Sequence, residues 1–197
     1  MISPSTYRQK GKELFFDNDY LDAIRNLDKA IAFDPKDSNS WNFRGLSKYF
    51  LEQYEEAIKD IDKAIELHPQ CLQGFHFRGI SKYCLEQYKE AIKDLDKAIA
   101  LDPEDSISWK CRGISKYYLE QYKEAIKDLD KAIALYPQCF LDFRGISKYY
   151  LELYKEAIGN LESIALDPEK YSSWKFRGKS KYCLEQYKEA IKDLDKA

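Results

Sequence analysis

Histidine is almost missing from this chain: His68 and His76 are the only two among 197 residues. That scarcity leaves little room for Ser-His or Cys-His chemistry. No HExxH pair, GxSxG elbow or glycine-rich phosphate loop supplies an alternative. The five cysteines, Cys71, Cys84, Cys111, Cys139 and Cys183, form no CxxC. His68 and Cys71 stand at a ligand-like spacing, but no second pair completes a metal site. An odd and scattered set reads as free thiols. No enzyme activity, metal or other cofactor is therefore expected. Charge of one sign is also lacking, with 32 Lys and Arg against 34 Asp and Glu, a net charge of −2. A long nucleic-acid surface shows a basic excess, so a nucleic-acid partner is not expected. No apolar run approaches a membrane span. The opening MISPSTYRQKGKELFF is too polar for a secretory signal. Together these absences point to a cytoplasmic protein without membrane contact.

What the chain has is repetition. Gly11, Gly45, Gly79 and Gly113 are 34 residues apart, Gly145 comes after another 32 and Gly178 after 33. Pro35, Pro69, Pro103 and Pro137 keep the same step of 34, and Pro168 comes 31 later. A fixed period in this range means stacked supersecondary units. Each unit reads as two helices. In the third, Phe75, Gly79, Ile80 and Tyr83 mark a first helix over Phe75–Glu86. Tyr88, Ala91, Ile92, Leu95, Ala98 and Ile99 mark a second over Tyr88–Leu101, stopped by Pro103. Asp105 and Ser106 offer a cap to the next helix. Gly79, Ala91 and Ala98 are small where the two helices should cross. Neither helix can bury its stripe alone, so the units must share a core with their neighbours. The fold class is all-α, one solenoid over 1–197, with repeats at about 4–37, 38–71, 72–105, 106–139, a shortened 140–169 and a truncated 170–197.

Several slots recur together. Four residues before the glycine stand Trp41, Phe75, Trp109 and Trp174. Nine after it stand Tyr20, Tyr54, Tyr88, Tyr122, Tyr154 and Tyr187, and twelve after it Ala23, Ala57, Ala91, Ala125, Ala157 and Ala190. Ala30, Ala64, Ala98, Ala132 and Ala197 stand at nineteen. This pattern resembles the tetratricopeptide repeat, over essentially the whole chain. The resemblance implies antiparallel helix pairs stacked as a right-handed superhelix. Its first helices line a concave groove that commonly holds a peptide or a partner's helix.

Carried onto this chain, the groove should be floored by Leu46, Tyr49, Ile80, Tyr83, Ile114, Tyr117, Ile146 and Tyr149, with His76 and Lys110 as polar contacts. Tyrosine joins an apolar body to a hydroxyl and freezes few rotamers, which suits recognition of an extended peptide or amphipathic helix. The expected role is a protein-binding scaffold. The chain departs from the family pattern at the pairs Arg44/Lys48, Arg78/Lys82, Arg112/Lys116, Arg144/Lys148 and Arg177/Lys181. Their stems should pack while the charges escape or pair with an acidic residue of an adjacent helix. A stripe that reads acidic or phosphorylated ligands is the alternative. Lys93–Asp96 and Asp94–Lys97 read as i, i+3 pairs on the outer face.

One family subgroup clamps the carboxylate tail of heat-shock chaperones. This chain offers Arg8, Lys12, Phe43, Gln73 and Phe77, or one repeat later Asn42, Leu46, Phe77, Ile107 and Cys111. Neither set reproduces the clamp. Repeat one carries Tyr7 and Lys10 in place of Trp and Arg, as an end repeat can. Repeat five is short by two residues before its glycine and by one in LESIALDP, and that single deletion turns the residues beyond it by about 100° around the helix. An irregularity is expected between Leu161 and Pro168. In repeat six Ile191 and Leu194, with Trp174, should face an open end. Self-association there, as a homo-oligomer, is the competing expectation.

Overall fold

The helices Tyr20–Phe33, Ser38–Phe50, Leu72–Cys84 and Ser106–Tyr118 start where a side chain accepts one of the first backbone amides, and the first helix of every repeat stops where the chain turns left-handed. In the computed structural model, which describes residues 4–136, 141–162 and 171–197, all regular secondary structure is helical. Unit one, Met1–Pro103, contains α1 (Pro4–Phe16), α2 (Tyr20–Phe33), α3 (Ser38–Phe50), α4 (Tyr54–Leu67), α5 (Leu72–Cys84) and α6 (Tyr88–Leu101). Unit two, Glu104–Ala197, contains α7 (Ser106–Tyr118), α8 (Tyr122–Leu135), α9 (Leu141–Tyr150), α10 (Tyr154–Glu162), α11 (Tyr171–Cys183) and α12 (Tyr187–Leu194). The expected hairpins are therefore present, three to a unit.

Boundaries shift by a few residues from those the periodicity predicts. The first helix of repeat three begins at Leu72 because the Cys71 thiol accepts from the Gly74 amide. It ends at Cys84 because Glu86 adopts φ 58°. There the Gln87 amide donates to the Lys82 carbonyl at 2.8 Å, and the Glu86 amide to that of Tyr83 at 3.0 Å. These are the two bonds of a Schellman stop, whose left-handed residue is usually glycine. Here Asn18, Glu52, Glu86, Glu120, Glu152 and Glu185 take that conformation. A glutamate held so costs about 1–2 kcal/mol. Asp105 caps α7 as expected, accepting from the Ile107 amide at 3.1 Å and the Ser108 hydroxyl at 2.6 Å.

The glycines do what their spacing implies. A β-carbon on Gly79 would lie 2.9 Å from Leu95 Cγ, and one on Gly45 would lie 2.7 Å from Ile61 Cγ1 and 3.2 Å from the Ala57 carbonyl. The two helices of a hairpin cross at this contact, and Ala57, Ile61, Ala64, Ala91, Leu95 and Ala98 are fully buried around it. Within unit one α1 touches α3, and α3 touches α5; within unit two α7 touches α9, and α9 touches α11. The second helices make no such approach to one another among the described residues. Each unit therefore curves with its first-helix row on the inner side. The irregularity expected between Leu161 and Pro168 falls mostly outside the described residues.

Candidate functional site

The inner row of each unit carries rings because the slot four residues after the glycine and the second-helix slot nine after it are aromatic in every repeat, and the slots two before and five after it are aromatic in most. The ring four residues after the glycine packs edge-on against the Phe of the next repeat. Phe15 meets Phe43 at 5.5 Å, and Tyr49 meets Phe77 at 4.9 Å. In unit two, Tyr117 meets Phe143 at 5.4 Å and Tyr149 meets Phe176 at 5.1 Å. One residue further on, Phe50 stacks flat on Tyr20 at 5.1 Å and Tyr150 on Tyr122 at 4.8 Å. Edge-to-face and offset geometries are those that ring quadrupoles favour.

Of the predicted site residues, Tyr49, Tyr83, Tyr117 and Tyr149 lie half-buried on this row, as do His76 and Lys110. The His76 ring stands edge-on to Phe77 at 4.8 Å. Leu46, Ile80, Ile114 and Ile146 are a correction. They are only 2–6 % exposed and belong to the core, so they underlie the face without lining it. Each directly follows the glycine at which its hairpin crosses. The accessible rings of this row are mostly those five residues after the glycine, a slot that the resemblance to the repeat family also turns toward the concave face. Phe16, Phe50, Tyr118 and Tyr150 are exposed there, as is Tyr182 at the slot one residue earlier. At the same slot as Phe50 and Tyr118, Cys84 and Cys183 replace a ring and are exposed free thiols. A recurrent aromatic at that slot was the available signal.

Two features tune the face. Burial, then the neighbouring Tyr150, Tyr122 and Tyr118, push the Tyr117 hydroxyl up to about 12, so it is a neutral donor under ordinary conditions. Burial and the Cys84 thiol likewise raise Tyr54. Cations flank the rings, with Lys12 Nζ 5.5 Å from Phe43 and Lys179 Nζ 5.5 Å from Phe176. In unit one the Asn42 amide is buried and donates to Gln73 at 3.2 Å. Arg8, the one residue of the chaperone-clamp set with suitable chemistry, pairs with Asp37 at 3.3 Å.

The Arg/Lys pairs do not face this surface as free charges. Arg44 Nε and Nη2 grip both oxygens of Asp60 at 2.7 and 2.6 Å, and Lys48 joins them at 2.7 Å. Arg44 Nη1 also reaches Asp28 of the preceding repeat at 2.6 Å. Arg78 binds Asp94 and Asp62 in the same way, with Lys82 on Asp94 at 2.7 Å. Arg112 and Lys116 share Asp128, and Arg177 and Lys181 share Asp193. Burial disfavours the charge of Arg44 and Arg78, but the paired carboxylates outweigh it and the net shift is upward. Each bridge fastens a hairpin internally, and those of Arg44 and Arg78 reach through a second carboxylate to the repeat before. The pairing with an adjacent helix is thus the reading that holds. Asp94 is corrected from an outer-face partner of Lys97 to a buried anchor, 3 % exposed.

Among the described residues no three His, Cys, Asp or Glu side chains gather as a metal set, and no helix is long and apolar enough to cross a membrane. The tetratricopeptide repeat family matches residues 38–71, 73–105 and 106–139. No curated protein matches the chain in sequence. Among solved structures it is similar to YrrB, described as a TPR protein with an unusual peptide-binding site. That likeness has a TM-score of 0.77 at 23 % identity, covering 86 % of this chain and 89 % of that one. A tetratricopeptide repeat protein of Parabacteroides merdae gives 0.75 at 18 % identity over 98 % and 78 %. The pilF protein of Pseudomonas aeruginosa gives 0.75 at 17 % identity over 96 % and 88 %. At these identities the likeness concerns the fold.

Proposed function

The chain belongs to the tetratricopeptide repeat family, and from that premise we propose that it is a non-catalytic scaffold holding a peptide or helix of a protein partner on the first-helix row of a unit. The observation that carries this reading is the set of exposed rings, Phe50 in unit one and Tyr118 and Tyr150 in unit two, with Phe50 and Tyr150 braced from behind by Tyr20 and Tyr122. Rigid, pre-stacked rings lose little entropy on binding, which is why aromatic side chains dominate interface energetics. Tyr49, His76 and Tyr83 in unit one, and Lys110, Tyr117 and Tyr149 in unit two, border those rings and supply polar edges. A cytoplasmic setting belongs to the same proposal, since the exposed thiols of Cys84 and Cys183 suit a reducing compartment.

The test selects binders from a random peptide library on the intact chain and measures their affinity for single variants. Phe50→Ala or Tyr150→Ala should weaken a selected peptide by roughly tenfold or more, with helicity by circular dichroism unchanged. Peptides indifferent to both substitutions would remove the reading. Self-association is the second reading, favoured by the exposure of Ile191 and Leu194 on α12. It ranks behind because the flank of α1 that a stacked copy would offer, including Gln9, Lys10 and Glu13, is polar and exposed.

A further inference from the structure

Phe50 closes α3 at 44 % exposure, and Leu21 stands in the first turn of α2 at 60 %. Tyr20 ties the two places together, since its ring stacks on Phe50 at 5.1 Å and its hydroxyl donates to Asn18 at 2.7 Å. The turn after α1 and the turn after α3 therefore flank one exposed apolar patch. Their charge sets them apart from every later turn. Residues 17–22 and 52–56 each hold three acids and no base. The matching residues 86–90, 120–124, 152–156 and 185–189 each hold two acids and a lysine. The difference is made at one slot, where the later repeats have Lys89, Lys123, Lys155 and Lys188 and the first two have Leu21 and Glu55.

Little inside the chain answers these acids. Asp22 pairs with Arg25 at 2.6 Å. Asp17, Asp19, Glu52, Glu55 and Glu56 are exposed and enter no ion pair among the described residues. Like charges gathered in this way repel one another, and a cation placed among them relieves the repulsion. Elsewhere the chain shows how a ring adds to that attraction. The Arg44 guanidinium lies 4.7 Å from the centre of the Trp41 ring while it grips Asp60. Charge and the ring quadrupole hold the arginine together. The turn edge of unit one offers both elements, carboxylate and ring, at its surface.

We propose that this patch selects a basic segment of a protein partner, in which lysines or arginines bracket an apolar side chain. The apolar side chain packs on Phe50 and Leu21, and the cations lie among the acids of the two turns. The proposal rests on the ring-row reading and adds the charge of what the row of unit one accepts. The same carboxylates reject an apolar peptide with acidic flanks, a nucleic acid or an anionic lipid surface. In unit two the rings of Tyr118 and Tyr150 precede turns that carry Lys123 and Lys155, so the preference belongs to unit one.

Three labelled synthetic peptides, RKFLRK, QQFLQQ and EEFLEE, are the probes, titrated into the intact chain by fluorescence anisotropy. RKFLRK should bind saturably and roughly tenfold tighter than the other two, with an affinity that falls as salt is raised. Phe50→Ala should weaken it by roughly tenfold. Glu55→Lys gives repeat two the residue that repeats three to six carry, and should weaken it by roughly fivefold with helicity unchanged. Glu66→Lys makes the same change of charge at the far end of α4, about 16 Å along the helix, and should leave the affinity unchanged. Equal affinities for the three peptides, no saturable binding of RKFLRK, or an equal loss from Glu66→Lys would overturn the proposal. Peptides from the random library that need Phe50 but ignore Glu55→Lys would remove the charge preference and leave the ring row standing.

Discussion

Repeat three and repeat five start from nearly the same sequence and hold themselves together differently. In repeat three Asp94 is buried, 3 % exposed, and takes hydrogen bonds from Arg78 and Lys82. In repeat five Asn160 stands at that place. Arg144 keeps Asp130 but leaves its Nε without a hydrogen-bond partner, and Lys148 turns to Glu156 at 2.8 Å, itself largely exposed. Lys148 holds the Glu156 carboxyl below its ordinary range through a hydrogen bond and its charge, but an exposed pair of this kind adds little. One oxygen exchanged for an amide nitrogen thus removes an anchor between two helices. The lesson is that these hairpins are coded twice, by apolar stripes and by a three-cornered charge bridge, and only the first code survives in repeat five.

The sharpest way to break the contrast is to bring repeat three down to the state of repeat five. Asp94→Ala strands two part-buried cations and should cost about 3–5 kcal/mol, read as a fall in the urea midpoint. The converse, Asn160→Asp, restores charge-assisted bonds to Arg144 and Lys148 and should add about 2 kcal/mol, read as a higher urea midpoint. A loss of stability in that variant would mean that repeat five has closed around its amide. The two repeats also carry glycines of opposite meaning. Gly79→Ala drives a methyl into Leu95 and should cost about 1–3 kcal/mol. A β-carbon on Gly159 meets nothing within 4 Å, so Gly159→Ala inside α10 should add about 1 kcal/mol.

Acid separates the repeats as well. In repeat six, burial pushes the Asp193 carboxyl up, but the hydrogen bonds and charges of Arg177 and Lys181 outweigh it and the net shift is downward. A carboxyl depressed on folding contributes stability that is complete above its ordinary range and is lost as pH falls through its folded value. The gain from Asn160→Asp should therefore vanish in acid, while the gain from Gly159→Ala should persist. Equal gains for Asn160→Asp at neutral and acid pH would deny the bridge its role. The smallest expected effect is alkaline: burial pushes the Tyr117 hydroxyl up to about 12, so its neutral form contributes stability that is complete below the ordinary tyrosine range and is lost as pH rises from there through about 12. Tyr117→Phe should remove the last phase of the tyrosinate absorbance titration.

Helix number, hairpin pairing and the crossing glycines were all legible from periodicity, because spacing alone decides which side chains share a helix face. The charge bridge was half-legible. Arg44 and Lys48 were visible as a pair, but their partner Asp60 lies sixteen residues from Arg44, and nothing in local spacing separates it from the solvent-facing Asp62. The candidate site was legible as a row of rings, yet the residues next to the crossing glycines lie buried beneath it. Helical phase gives the face of an element, whereas exposure depends on how closely the neighbouring element comes.

Residues 77–98 and 176–197 make the division plain, since they differ only at Ile80 and Lys179. Sequence by itself determined, identically in both, two helices, their crossing, the Arg–Asp–Lys bridge and the stripe each hairpin must hide. It did not determine whether the stripe is hidden: Leu95 is 0 % exposed and Leu194 is 41 % exposed. That was decided by tertiary structure, because burial belongs to a pair of surfaces and a repeat encodes only one of the two.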